Sequence, residues 1–503
     1  MSSSANAGPS ALSVPAEARA AGPRLPSLDP DRGNAASTSA IVAALALAAV
    51  ASGVAIAVGD VTATVLCAAV LAVAFILMDY RVGVVLLILL MPIEPSILFP
   101  HSMFGVTGVN PLNVLMLSTV CSLGIRHGGR MQATPFVPRP LLWLYIVPFV
   151  AAGIMGSRHV GDIPEYLIPL HQFSFTDQPT YLRDVVVKPL FLVLFALLIG
   201  RAVADSEKPE RFITPMLISV WIMGLLALGS FLASDVSFMS LASRRIAGEV
   251  LGVSGLHAND LGRLYAIAYA LMLWPWAMTS DHRLKFMLAI TMGVVVLALL
   301  STFSRGAFFS FFVVNIIFLF SRRSALAFIF AILLVALAVP LAPGGLVYRM
   351  SEGLSGGHAG LNDFTSGRTD TIWLPLLPEI WKSPIVGNGL SSTLWSDAMR
   401  EMKMIVVAHP HNAFLGLLLD MGIVGLVTVC AYFVLVWRGF RTLYRDTTLS
   451  TEMRALFRGA AAGLLAFATA GFAGSSLTPV PEQSYLWLAI GLMYGVLARK
   501  AKA

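Results

Sequence analysis

The stretch "HPHNAFLGLLLDMGIVGLVTVCAYFVLVW" occupies residues 409–437. After its opening His-Pro-His-Asn, Asp420 is the only charged residue in the run. An apolar run of about 20 residues is long enough to cross a bilayer as a helix. Similar runs recur along the chain, at roughly 41–58, 61–78, 82–99, 108–125, 140–156, 186–204, 212–232, 257–279, 284–301, 306–320, 324–343, 456–475 and 483–498. They do not alternate polar and apolar residues, as strands of an outer-membrane barrel would. Only helices satisfy their own backbone one segment at a time in lipid. The sequence therefore predicts an all-α polytopic membrane protein with 12–14 transmembrane helices.

Composition agrees. The 503 residues are 57% hydrophobic and 12% charged, with a mean hydropathy of +0.80. A soluble chain carries about 25% charged residues, so this one lacks the polar surface to cover a water-soluble globule. The net charge of +7 fits basic cytoplasmic loops better than nucleic-acid binding. Cys67, Cys121 and Cys430 all fall inside apolar runs, which offers no disulfide framework or CxxC pattern.

Residues 1–40, rich in Ala, Ser, Pro and Gly, read as a disordered cytoplasmic tail. The bundle then runs over 41–343, a large outer loop over 344–408, and C-terminal transmembrane helices over 409–503. With the N-terminus inside, the inner connectors include "DYR" at 79–81, "RAVADSEKPER" at 201–211, "SRRS" at 321–324 and "RKAKA" at 499–503. Each carries Lys or Arg, as the positive-inside rule requires, and both termini come out cytoplasmic. In the outer loop, Trp373, Leu376, Leu377, Ile380 and Trp381 have helical spacing, interrupted by Pro375 and Pro378. This predicts short helices, lying on the membrane face or packed on the bundle.

Several outer polar residues are chemical candidates. Arg305 in "STFSRGAFF" sits between two apolar runs with almost no loop; it is either functional or snorkels to the headgroups. Arg368 in "NDFTSGRTDTIW" is either functional or a solvated arginine paired with Asp363 or Asp370. Pro410 restricts His409 to extended backbone and lets a helix begin just after it. The positive end of that helix lowers the proton affinity of His411, which suits a neutral general base. The alternatives are a polar cap made by His411 and Asn412, or a metal site on the histidine pair. No third ligand is evident for the latter. Arg183, Asp184 and Lys188 in "YLRDVVVKP", and His257, Asn259 and Asp260 in "GLHANDLGR", also mark outer span ends. Asp420, nine residues beyond His411, points away from it and reads as an interior polar contact. No P-loop, no GxGxxG after a strand and no outer Asp-x-Asp pair is present.

In combination these segments resemble the bacterial O-antigen ligase and polysaccharide polymerase superfamily. "HNAFLGLLLDMGIVG" places His411, Asn412, Gly422 and Gly425 at the positions of its His-Asn and Gly-x-x-Gly elements. "FSRGAFF", "SGRTDTIW" through "SPIVGNGL", and "GLHANDLG" resemble three further family segments, in matching order, over roughly residues 180–437. The resemblance implies a glycosyltransferase C-like fold and a metal-independent, cofactor-free transfer of a glycan from undecaprenyl diphosphate to a sugar hydroxyl. The acceptor would be a growing polysaccharide or lipid A-core. His411 would be the base and Arg305 and Arg368 would hold the donor diphosphate, with Asn412, His409, Asn259 and Arg183 in support. The site would face the periplasm from the bacterial inner membrane, with polysaccharide assembly machinery as possible company. A transporter or flippase of lipid-linked sugars is the competing reading. It would call for internal repeats, which the sequence does not display.

Overall fold

The computed structural model describes residues 71–97, 99–103, 106–107, 110–127, 135–170, 173–234, 250–323, 329, 365, 367–474 and 476–502. The expected tail over 1–40 and the spans at 41–58 and 324–343 lie outside the described residues, save Ile329. Phe75–Ala503 pack as one unit; of Met1–Ala74 only 71–74 are described, and these are helical.

The unit is an all-α membrane bundle. Its helices are α1 (Tyr80–Leu90), α2 (Pro111–His127), α3 (Arg139–Ser157), α4 (Gln178–Ala204), α5 (Pro209–Leu232), α6 (Ala258–Met278), α7 (His282–Ser301), α8 (Arg305–Arg322), α9 (369–380), α10 (Ala413–Arg445), α11 (Thr451–Ala470) and α12 (Ser484–Lys502). Among the described residues, α3, α4, α5, α7, α8 and α10 are long and apolar enough to cross a membrane. The expected span at 82–99 is shorter than predicted. Helix α1 stops at Leu90, where Pro92 and Pro95 remove backbone donors. A two-residue antiparallel hairpin follows, with Ser102 opposite Thr107 and Met103 opposite Val106.

Helix α6 is buried on all sides from Leu261 to Pro275, as expected of a central helix. It packs against α7, α8 and α11. Helix α12 lies along α4 at backbone distance. A Cβ added at Gly491 would stand 2.5 Å from the Ala196 carbonyl oxygen, and one at Gly495 2.5 Å from that of Gly200. Close small-residue contact of this kind is what holds helices together in lipid. Tyr145, Tyr432 and Trp487 fill the centre between α3, α10 and α12.

Three helices carry a turn of π-helix at or near their start, at Leu142–Ile146, Leu182–Val187 and Thr369–Trp373. Each ends two residues before a proline: Pro148, Pro189 and Pro375. A helical proline has no N–H and clashes with the carbonyl four residues back. The wider turn accommodates that clash. Pro375 and Pro378 therefore do not interrupt the loop helix; α9 runs through both. It buries Ile372 and Leu376 and exposes Leu374, Leu377 and Trp381.

Helix α10 is broken at Gly422, whose φ of 63° and ψ of −167° are open to glycine alone. The break frees backbone groups that residues 384–390 satisfy. The Asn388 and Gly389 amides donate to the carbonyls of Leu419 (2.8 Å) and Asp420 (3.0 Å). The Ile423 and Val424 amides donate to Pro384 (2.9 Å) and Ile385 (3.1 Å). Non-helical backbone at membrane depth needs such partners. Asp420 accepts from the Ser392 hydroxyl (2.7 Å) and amide (3.0 Å).

Candidate functional site at the start of α10

Pro410 is buried, and His411 turns the chain with a left-handed backbone, φ 53°. Asn412 is extended and caps α10: its side-chain oxygen accepts from the amides of Phe414 and Leu415, both at 3.1 Å. The polar-cap alternative thus describes Asn412 but not His411. The imidazole of His411 packs against that of His409, ring centroids 4.3 Å apart and tilted by 58°. Among the described residues neither ring has a hydrogen-bond partner. His409 is exposed and His411 half-buried.

Helix α9 pins this turn from the loop side. The Trp373 indole donates to the Pro410 carbonyl at 2.8 Å, and the Ile405 amide to the Thr371 carbonyl at 3.2 Å. Arg368 stands directly before the π turn of α9. From the bundle side comes the start of α6. There the His257 ring caps the helix, its Nδ1 accepting from the Asn259 amide at 3.2 Å. Asp260 pairs with Arg263, which also reaches Glu482 at 3.4 Å. Arg263 is 4% exposed, and its Nε lacks a hydrogen-bond partner among the described residues.

The electrostatics follow from this assembly. Burial pushes the His411 imidazole well below its usual proton affinity. His409, Arg368, His257 and Arg263 add positive charge that lowers it further. The His411 ring is thus neutral near pH 7. Desolvation and neighbouring cations act on His411, which also precedes the positive end of α10.

The other candidates are placed as follows. Arg305 is the first residue of α8 and half-buried, after the capping Ser304, whose hydroxyl accepts from the Ala307 amide at 3.3 Å. Two residues on, Ala307 packs against Gly262 of α6, beside Arg263. Arg305 therefore shares the end of the bundle with the histidines. Arg183 pairs with Asp184 at 2.8 Å, which Lys188 (2.7 Å) and Ser174 (2.8 Å) share. Asn259 contributes its backbone to the cap of α6.

Residues 287–430 match the O-Antigen ligase family model. The chain carries an O-antigen ligase domain. The matched segment runs from α7 into α10 and includes Arg305, Arg368, His409 and His411. The match supports a ligase- or polymerase-type, glycosyl-transferring function, and the long apolar helices a membrane setting. No curated protein matches the chain. Of the histidines' neighbours, Arg263 lies outside the O-antigen ligase match and was missed in the sequence. Its signal was the spacing of three from His257 to Asp260 to Arg263, which sets all three on one helical face.

Proposed function

We propose that the protein is an inner-membrane glycosyltransferase, taking a glycan from undecaprenyl diphosphate and joining it to a sugar hydroxyl at the periplasmic face. The acceptor is the next unit of a growing polysaccharide, or alternatively lipid A-core. The observation that carries this reading is the gathering of His411, His409, His257, Arg368 and Arg263 around the start of α10.

In the step, the acceptor oxygen attacks the anomeric carbon while the bond from that carbon to the diphosphate oxygen breaks. The diphosphate leaves with the bonding pair, and His411 takes the hydroxyl proton. Arg368, with Arg305 from α8, meets the charge gathering on the phosphates, for which arginine geometry is suited. Among the described residues no three His, Cys, Asp or Glu are grouped to hold a metal ion, so the arginines carry that task in this proposal. The cationic surroundings that weaken His411 as a base are offset once an anionic donor arrives. Its proton affinity then rises towards neutrality only when a donor is loaded.

The test uses the full-length protein in nanodiscs with lipid-linked oligosaccharide and an acceptor glycan, following release of undecaprenyl diphosphate. Asparagine tolerates the left-handed backbone of position 411, so His411→Asn removes the base and little else. Transfer is expected to fall about 100-fold or more, and to survive EDTA in the parent protein. Undiminished transfer by folded His411→Asn rejects the base, and activity lost to EDTA and restored by a divalent cation rejects metal independence.

A further inference from the structure

At the far end of α9 from Arg368 lies a second concavity, a cavity of about 220 Å³. Its wall brings together His159 and Asp162 after α3, Glu379 and Lys382 at the end of α9, Trp395 and Asp397. Leu419 of α10 also lines it, six residues into the helix and so about 9 Å along the axis from its start. The cavity and the histidine recess are thus joined by two helices, α9 and α10.

Its chemistry differs from that of the recess. Lys382 bridges Glu379 (2.8 Å) and Asp397 (2.6 Å), and Asp162 pairs with His159 (2.8 Å) and Arg400 (3.8 Å). The two lining cations, Lys382 and Arg400, face three carboxylates, Asp162, Glu379 and Asp397. No net positive charge is left to draw a phosphate. The wall instead presents closely spaced donors and acceptors beside a flat ring pair, His159 stacked on Trp395 with centroids 5.6 Å apart and 21° between planes. Trp395 is 6% exposed, and its Nε1 has no hydrogen-bond partner among the described residues.

We propose that this cavity is a saccharide subsite, holding an uncharged sugar ring of the acceptor glycan away from the reacting hydroxyl. The inference rests on the transferase reading for its biological use, though not for binding itself. The sugar's hydroxyls take the forked contacts of Asp397, Lys382 and Asp162, and its apolar face lies on the His159 ring. Seating one ring here orients the glycan along α9 and α10 towards His411.

The test applies the full-length protein in fluorescent nanodiscs to an array of neutral mono- to tetrasaccharides. At least one oligosaccharide is expected to bind. Lys382→Met and Asp397→Asn are expected to lower that affinity about tenfold each, the loss of one or two charge-assisted hydrogen bonds. Both side chains are about half exposed, 45% and 50%, so an unchanged melting temperature is the accompanying control; Arg400→Met replaces either variant that melts early. Excess inorganic pyrophosphate is expected to leave binding intact, and His411→Asn to bind as the parent does. Absence of binding to any array member, equal binding by the cavity variants, or displacement by pyrophosphate overturns the proposal. Cavity-dependent binding by a parent protein that shows no glycan transfer would instead reject the transferase and spare the subsite.

Discussion

His411 holds a backbone conformation that costs a non-glycine residue about 1 kcal/mol. The cap immediately after it helps to sustain that turn. Replacing Asn412 with Ala removes the acceptor for the Phe414 and Leu415 amides and is expected to destabilise the protein by about 1 kcal/mol. Asn412→Ser should recover most of this, and thermal unfolding of the two variants in nanodiscs checks both. The titration of His411 has a definite sign. Its proton affinity is lower folded than unfolded, so between the two values the unfolded chain binds more protons. Stability is therefore present above the ordinary imidazole value of about 6.5 and is lost as pH falls below it, by at most about 1.4 kcal/mol per pH unit for this one proton. Melting temperatures measured from pH 7 down to pH 4 should show a shallower decline in His411→Asn than in the parent. Equal slopes would mean that the ring is not depressed.

Among the helices, the break in α10 is the most exacting feature. A Cβ at Gly422 would stand 2.4 Å from the Ile385 carbonyl carbon, and the backbone there is open only to glycine. Gly422→Ala is expected to cost about 2 kcal/mol or more and to lower the yield of monodisperse protein; a wild-type melting curve would contradict this. Such detail was legible in the sequence to differing degrees. Runs of apolar residues gave helices at the expected places, because hydropathy and length dominate in lipid. Pro375 and Pro378 read as interruptions of the loop helix, whereas the chain forms a π turn before Pro375 and continues through both. At the site, His409, His411 and Arg368 were found, since polar residues at apolar span ends stand out. What was not legible is contact across the chain. The Trp373 bond to Pro410, the burial of Arg263 and the docking of residues 384–390 depend on tertiary packing that no local pattern encodes.

At the scale of the whole molecule, the bundle is knit where α12 meets α4. Gly491→Leu is expected to separate the two helices, because its side chain has no space beside the Ala196 carbonyl. Loss of protease resistance in intact vesicles reads this out. The proposed orientation has its own check: a cysteine at exposed Lys403 should react with an impermeant maleimide in intact spheroplasts, and one at Arg283 should not. The break in α10 also bears on how substrates reach the histidines. Four main-chain bonds fasten residues 384–390 across it, and leaving their buried groups unmet would cost about 1–3 kcal/mol each. That part of the loop therefore cannot swing aside like a door. In the proposed transfer, a lipid-borne donor enters past a stretch that stays in place from one turnover to the next.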